Sequence, residues 1–146
     1  MATKARIVYG ASTEWSSDGG TTYTNIDEST AIVVPETSVD YQDVSSLDST
    51  GGFREYIPGL KDAGEISIPC NYTSAMYALA SGYRSAGTLI KFQTTLPLET
   101  GQSTTGDVFV FEGYVSPALE TNSVGDPISL TLNIRTSGAV SFTEGS

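Results

Sequence analysis

The run ISLTLNIRT constrains this chain more than any other. Ile128, Leu130, Leu132 and Ile134 alternate with Ser129, Thr131, Asn133 and Arg135. Successive side chains of a strand point to opposite faces, so the pattern describes a sheet that is dry on one side and wet on the other. Other segments share the period. EISI at 65–68 directs Ile66 and Ile68 inward before Pro69, which ends the strand or marks it as an edge. TLIKFQTT, from Thr88, sets Ile90 and Phe92 on one face. In DVFVFEGYV, Val108 and Val110 oppose Phe109 and Phe111, so both faces of that strand call for cover. AIVVP at 31–35 is a shorter two-sided run of the same kind.

One helix interrupts the strands. In NYTSAMYALASGYRSAG, Met76, Leu79, Ala80 and Tyr83 recur at helical spacing, Thr73 or Asn71 can cap the start, and Gly82 or Gly87 can close the end. The predicted helix covers about 74–83. Such a lone helix is expected to lie against a sheet, which makes the chain mainly β, with one short flanking α-helix. At 146 residues it is read as a single domain, 1–146, large enough for its own core.

Charge and residue inventory narrow the function. The formal net charge is −10, both halves are acidic, and no histidine is present. A basic clamp for nucleic acid is therefore disfavoured. Cys70, the single cysteine, reads as a small buried apolar group. Without histidine, Ser-His-Asp triads and Cys-His pairs are excluded, and zinc sites are incomplete. The carboxylates Asp40, Asp43, Asp48, Glu55, Asp62 and Glu65 are irregularly spaced and lack a D-x-D-x-D-G calcium pattern, so they read as surface charge. No enzyme and no cofactor is expected. SSDGGTTY at 16–23 is similar to the Asp-box of sialidase propellers but occurs once, so a plain hairpin is expected. STGG at 49–52 lacks the lysine and helix of a phosphate loop. The N-terminal MATKARIVYGA is too short and too polar for a signal peptide, and no run is long enough to span a bilayer, so no membrane anchor is expected.

The stretch 45–60, SSLDSTGGFREYIPGL, reads as a long inter-strand loop, yet it carries Leu47, Phe53, Tyr56, Ile57 and Leu60. Surface loops have little reason to hold so many apolar groups. Either these residues fold back over the domain's own core, or they meet another subunit, where aromatic and arginine side chains are enriched. On the residues alone the two readings balance.

Two long stretches carry a resemblance that tips this balance: DVSSLDSTGGFREYIPGLKDAGEISIPCNYT at 43–73 and VFVFEGYVSPALETNSVGDPISLTLNIRTSGAVSF at 108–142. In their order of parts (a Gly-Gly turn, an R-E-aromatic segment, P-G-L, a strand, a helix, two long strands) they resemble the tail tube, or major tail, proteins of long-tailed bacteriophages. The resemblance implies a β-sandwich or partly closed barrel with a flanking helix, and no enzymatic activity. It implies six-membered rings stacked into a hollow tube that conducts viral DNA, in a virion tail whose subunits are made in the host cytoplasm. Partners would be further copies and other tail proteins such as tape measure, distal tail and terminator proteins. Double-stranded DNA would pass without specific binding. By position, Leu47, Asp48, Phe53, Arg54, Tyr56 and Ile57 become inter-ring contacts, and Asp107, Glu112, Glu120 and Asp126 candidate acidic groups facing the lumen. Ending at SFTEGS, the chain is expected to lack the immunoglobulin-like surface domain of some relatives. Related ring proteins (a tail terminator, a distal tail protein or a secretion-system tube) share the architecture. A carbohydrate-binding module with Trp15, Tyr23 and Tyr41 as a sugar platform is the remaining alternative.

Overall fold

The computed structural model describes residues 4–26, 28–119 and 123–146. Among them run strands β1 (Ser12–Ser16), β2 (Thr24–Asn25), β3 (Ser38–Asp43), β4 (Tyr56–Asp62) and β5 (Glu65–Asn71), helix α1 (Ser74–Ala86), and strands β6 (Ile90–Thr95), β7 (Val108–Leu119), β8 (Ser129–Thr136) and β9 (Ser141–Thr143). All pairings are antiparallel. Seven strands form one sheet in the order β2-β1-β6-β7-β8-β5, with β9 beside β7; β3 and β4 form a separate ribbon.

The sheet curls until its two edges nearly meet. Thr24 and Asn25 pair with β1, and a few residues on the same stretch reaches β5. There Ser29 bridges Cys70, the Asn71 amide donates to Glu28 O at 3.0 Å, and the Thr30 amide donates to Pro69 O at 3.1 Å. One short segment thus ties both edges, giving the partly closed barrel. Closure of this kind also satisfies backbone groups that an open edge would leave for another chain. Pro69 stands inside β5, at the edge of the sheet, where a missing amide costs no ladder bond.

The core follows the strand period. Trp15, Phe92 and Phe111 lie in register across β1, β6 and β7, with Phe92 and Phe111 stacked at 5.2 Å between ring centres. Across β7, β8 and β5 the inward rows are Val115-Ile134-Ile66 and Pro117-Leu132-Ile68. Each large side chain fully buried here contributes about 1.5–3 kcal/mol. Thr73 caps α1 through Oγ1, which accepts the Met76 amide, and Gly87 ends it in the left-handed conformation that glycine adopts without strain. Met76 and Ala80 enter the core, and Tyr83 meets the edge of Trp15 at 5.3 Å between centres.

Several sequence expectations differ in detail. The helix runs three residues beyond 83, and Leu79 is exposed, because the buried face turns through Met76, Tyr77, Ala80 and Tyr83 instead. Ile128 lies just outside β8 and is exposed. The stretch 31–35 carries no strand; Val33 packs on the core and Pro35 is buried, both from irregular backbone. Of the presumed loop 45–60, residues 56–60 belong to β4, whose apolar side chains gave no alternating signal because neither face is covered. Trp15 is only 1% exposed and forms part of the core, which removes it from any sugar platform. SSDGGTTY is a hairpin turn: Ser16 Oγ donates to the Asp18 carboxylate, which also accepts the Thr21 and Thr22 amides. Cys70 is buried, and desolvation, with Glu28 second, pushes its thiol pKa up.

Gly113 is the residue of β7 that pairs with both β6 and β8, opposite Ile90 and Thr136. A Cβ there would stand 2.6 Å from Ile134 Cγ2 and 2.7 Å from the Arg135 carbonyl oxygen. Gly113→Ala is therefore expected to destabilise by roughly 1–3 kcal/mol. Gly82→Ala, in open space on α1, is expected to stabilise by about 0.5–1 kcal/mol. Urea unfolding midpoints moving in opposite directions would bear this out; a neutral Gly113→Ala would refute the close-contact argument.

Candidate functional site

The feature that stands apart from the barrel is the ribbon of β3 and β4, hereafter the arm. Every residue of β4 is exposed, and in β3 only Val39 is partly covered. Its pairing runs from Ser38 opposite Asp62 at the base to Asp43 opposite Tyr56 near the tip, with a bulge between Val39 and Tyr41. Gly59 fits this bulge, since a Cβ there would stand 2.9 Å from Asp40 O. Pro58 lies opposite Tyr41 on a ribbon whose outer edges are open, the setting in which proline is tolerated.

Polar residues of the tip are used internally. Asp43 accepts the Ser45 amide at 2.9 Å, and the Ser45 hydroxyl and then its amide hold the Asp43 pKa below the usual carboxylate range. The Glu55 amide donates to Ser45 Oγ at 2.7 Å, the Val44 amide to Glu55 O at 2.8 Å, and the Ser46 amide to Ser49 Oγ at 2.9 Å. A 3-10 turn, Thr50–Gly52, completes the tip, with Gly51 and Gly52 at φ of 68° and 75°. With its serines engaged in this way, the tip projects the remaining side chains outward.

Leu47 and Phe53 at the tip are 106% and 77% exposed, and Tyr56, Ile57 and Leu60 on β4 are exposed as well. None of these residues joins the core. Arg54 reaches Asp43 at 3.7 Å, and Asp48 sits in the tip with its amide on Ser46 Oγ. The six residues expected as contacts are thus gathered on one arm. Tyr41 and Val44 extend the same surface, though no periodic pattern in the chain marks them.

The base of the arm is anchored to β8. Asp62 accepts the Gly64 amide at 2.9 Å and pairs with Arg135 at 3.1 Å, while the Thr136 amide donates to Gly64 O at 3.0 Å. Beside this anchor lies a groove of about 560 Å³ between the end of α1 and strands β5, β7 and β8. Ile66 is partly exposed along it, over the buried Val115 and Ile134, with Tyr83, Tyr114, Arg84 and Arg135 around them.

Of the four acidic candidates, the three among the described residues do not share a surface. Asp107 precedes β7 and is held by the Gly145 amide, the Gln102 side chain and Arg6, which lower its pKa in that order of effect. Glu112 lies on the outer face of β7, 4.0 Å from Lys91. Asp126 closes a turn with Ser123, and Glu120 lies outside the described residues.

The fold defined by this barrel, helix and arm is one found in tail assemblies of phage type. A chain of the six-fold-symmetrised baseplate of the anti-feeding prophage superposes with a TM-score of 0.73 at 9% identity, covering 99% of this chain and 98% of that one. A chain from the C6-symmetric tail of an empty gene transfer agent particle gives 0.71 at 21% identity, covering 95% and 99%. One from the virion of the native gene transfer agent gives 0.69 at 20% identity, with the same coverage. Neither a protein-family model nor a curated protein matches the sequence. The resemblance carried by 43–73 and 108–142 is therefore matched by the fold of tail structures.

The anchor has a pH signature. The Gly64 amide, and after it Arg135, holds the Asp62 pKa below its ordinary value. A carboxyl whose folded pKa is lowered stabilises fully above its unfolded pKa of about 3.9 and loses that effect as pH falls through the lower folded value. Carbon-detected NMR titration should find Asp62 titrating below about 3.9. Arg135→Gln should raise that midpoint only part of the way, since the Gly64 amide remains; an unchanged midpoint would exclude the guanidinium from the anchor.

Proposed function

We propose that this protein is a structural subunit of a virion tail, assembling as hexameric rings that stack into the tube through which DNA passes. The observation that carries this reading is the arm, a hydrogen-bonded ribbon standing clear of the core with Leu47, Phe53, Tyr56, Ile57 and Leu60 in solvent. Exposed apolar surface of this kind marks an interaction site. In the proposed tube it makes the inter-ring contact. Support also comes from the six-fold symmetry of two of the assemblies that share the fold. The subunit is read as non-enzymatic, with tape measure, distal tail and terminator proteins as its other partners.

The outer face of the sheet suits a channel wall. Ser67, Asn133 and Ser116 lie in register there, as do Pro69, Thr131 and Ala118. Two cations share the face, and each meets an acid: Lys91 with Glu112 at 4.0 Å, Arg135 with Asp62 at 3.1 Å. Free lysine or arginine would hold phosphates by counterion release, and paired cations do so less. Of the acidic candidates, Glu112 fits this wall best. A second reading, a ring near the baseplate, is favoured by the likeness to the anti-feeding prophage baseplate chain.

Electron microscopy of the purified full chain tests both readings. Long uniform tubes are expected; isolated rings would favour the baseplate reading. Replacing Phe53 and Tyr56 together with Ser should leave circular dichroism and the unfolding midpoint unchanged, because both side chains are exposed, and should abolish tube growth. Unaltered tubes would take the arm out of the mechanism.

A further inference from the structure

We infer, resting on the self-assembly reading, that the Asp62–Arg135 pair is a reversible latch on a hinged arm, so that one guanidinium couples the direction of the arm to the charge of the channel wall.

The arm meets the body at a narrow base. Neither β3 nor β4 packs to any extent against another strand or against α1. The chain enters the arm through Glu36 and Thr37, exposed coil between the buried Pro35 and β3, and leaves it through Ala63 and Gly64, the latter at φ of 69°. Beside the base lies a cleft of about 490 Å³, bounded by Thr37, Lys61, Asp62 and Ala63 on one side and by residues 138–140 on the other. Packing therefore leaves the arm room to tilt.

One carboxylate sets its direction. Asp62 accepts the Gly64 amide at 2.9 Å across the pivot and the Arg135 guanidinium of β8 at 3.1 Å, while the Thr136 amide pins Gly64 O to β8 at 3.0 Å. With Arg135 released, Gly64 stays in place and only the turn holds the arm beyond it. The seven residues of β4, at about 3.3 Å each, put the tip on the order of 20 Å from this pivot. A small tilt at the base is thus a large displacement of Leu47 and Phe53.

The latch is weak enough to open. The side chains of Arg135 and Asp62 are 53% and 55% exposed, and an ion pair so exposed contributes little against solvent and salt. Arg135 also stands in the row Tyr114-Arg135-Glu65 on the outer face, the proposed channel wall. Its guanidinium serves either the Asp62 carboxylate or the phosphates of passing DNA, and a closed latch withholds it from the phosphates. The effect is reciprocal by linkage: an anion on Arg135 loosens the arm, and a neighbouring copy that holds the arm in its latched direction keeps that cation neutralised.

Double electron-electron resonance on the full chain reads the arm's direction. Spin labels go on Leu47→Cys at the tip and Ser85→Cys on the exposed side of α1, diluted into unlabelled chain; native Cys70 is buried. One narrow distance is expected, broadening about twofold with Arg135→Gln as a weak latch implies. Arg135→Lys should keep it narrow, and a Ser85→Cys/Gln93→Cys pair within the body should not respond to either change. Phenylglyoxal labelling, mapped by mass spectrometry, should rise several-fold at Arg135 in Asp62→Asn and stay constant at Arg84. An unbroadened distance with Arg135→Gln, equal broadening within the body, or Arg135 labelling indifferent to Asp62→Asn would overturn the inference. Neither readout needs tubes: both expected responses from a chain that forms none would remove the tube reading and leave the latch standing, and tubes from a chain that shows neither would do the reverse.

Discussion

Everything in this structure depends on β7 being paired along both of its edges. β6 lies along Val108–Gly113 on one side, and β9 followed by β8 takes up the other. The chain must pass Gly113 with partners on both sides and with the Arg135 carbonyl close by, so only a residue without a side chain fits. The rows Trp15-Phe92-Phe111 and Val115-Ile134-Ile66 both run through this strand. With the inner face so filled, α1 needs to add only Met76 and Ala80, backed by Tyr77 and Tyr83. A single curved sheet with one helix thus makes a core without a second sheet.

The arm is possible because this core is self-sufficient. A two-stranded ribbon alone is marginal in water. Here its base is fixed by Asp62, Gly64 and Arg135, and its tip by the Ser45 and Ser49 hydrogen bonds. Both ends are held by polar contacts, so its apolar groups are free of any structural duty within the chain. Presented in this way, they lose little further freedom on meeting a partner, which favours binding.

Much of this was legible in residue order, and the failures are physical. Alternation located β8 and the inward residues of β5 and β6, because one face of each is dry, but it left β7 two-sided and did not place Trp15 in the core. It failed at Ile128, where the strand has not yet begun, and at β4, where neither face is buried and hydrophobicity carries no period. Leu79 was misassigned because a helix on a curved sheet buries a narrow stripe, and Tyr77 lies nearer to it. The segment 31–35 is apolar for covering the core rather than for pairing, a distinction composition cannot make. The arm residues are close in sequence and so could be grouped by position, yet the groove was invisible: Ile66, Arg84 and Tyr114 come from three distant elements and line it only through sheet register and the helix end.

Charge sets the terms on which copies approach. At a formal −10, subunits repel one another, though screening confines the effect to about 8 Å at physiological salt. Attraction must then be short-ranged and concentrated. Five of the seven cations lie in ion pairs, and Lys61 and Arg84 have none among the described residues, so positive charge offers little to offset the repulsion. Apolar burial acts at contact, and the arm is where this chain gathers Leu47, Phe53, Tyr56, Ile57 and Leu60 in solvent, clear of the core.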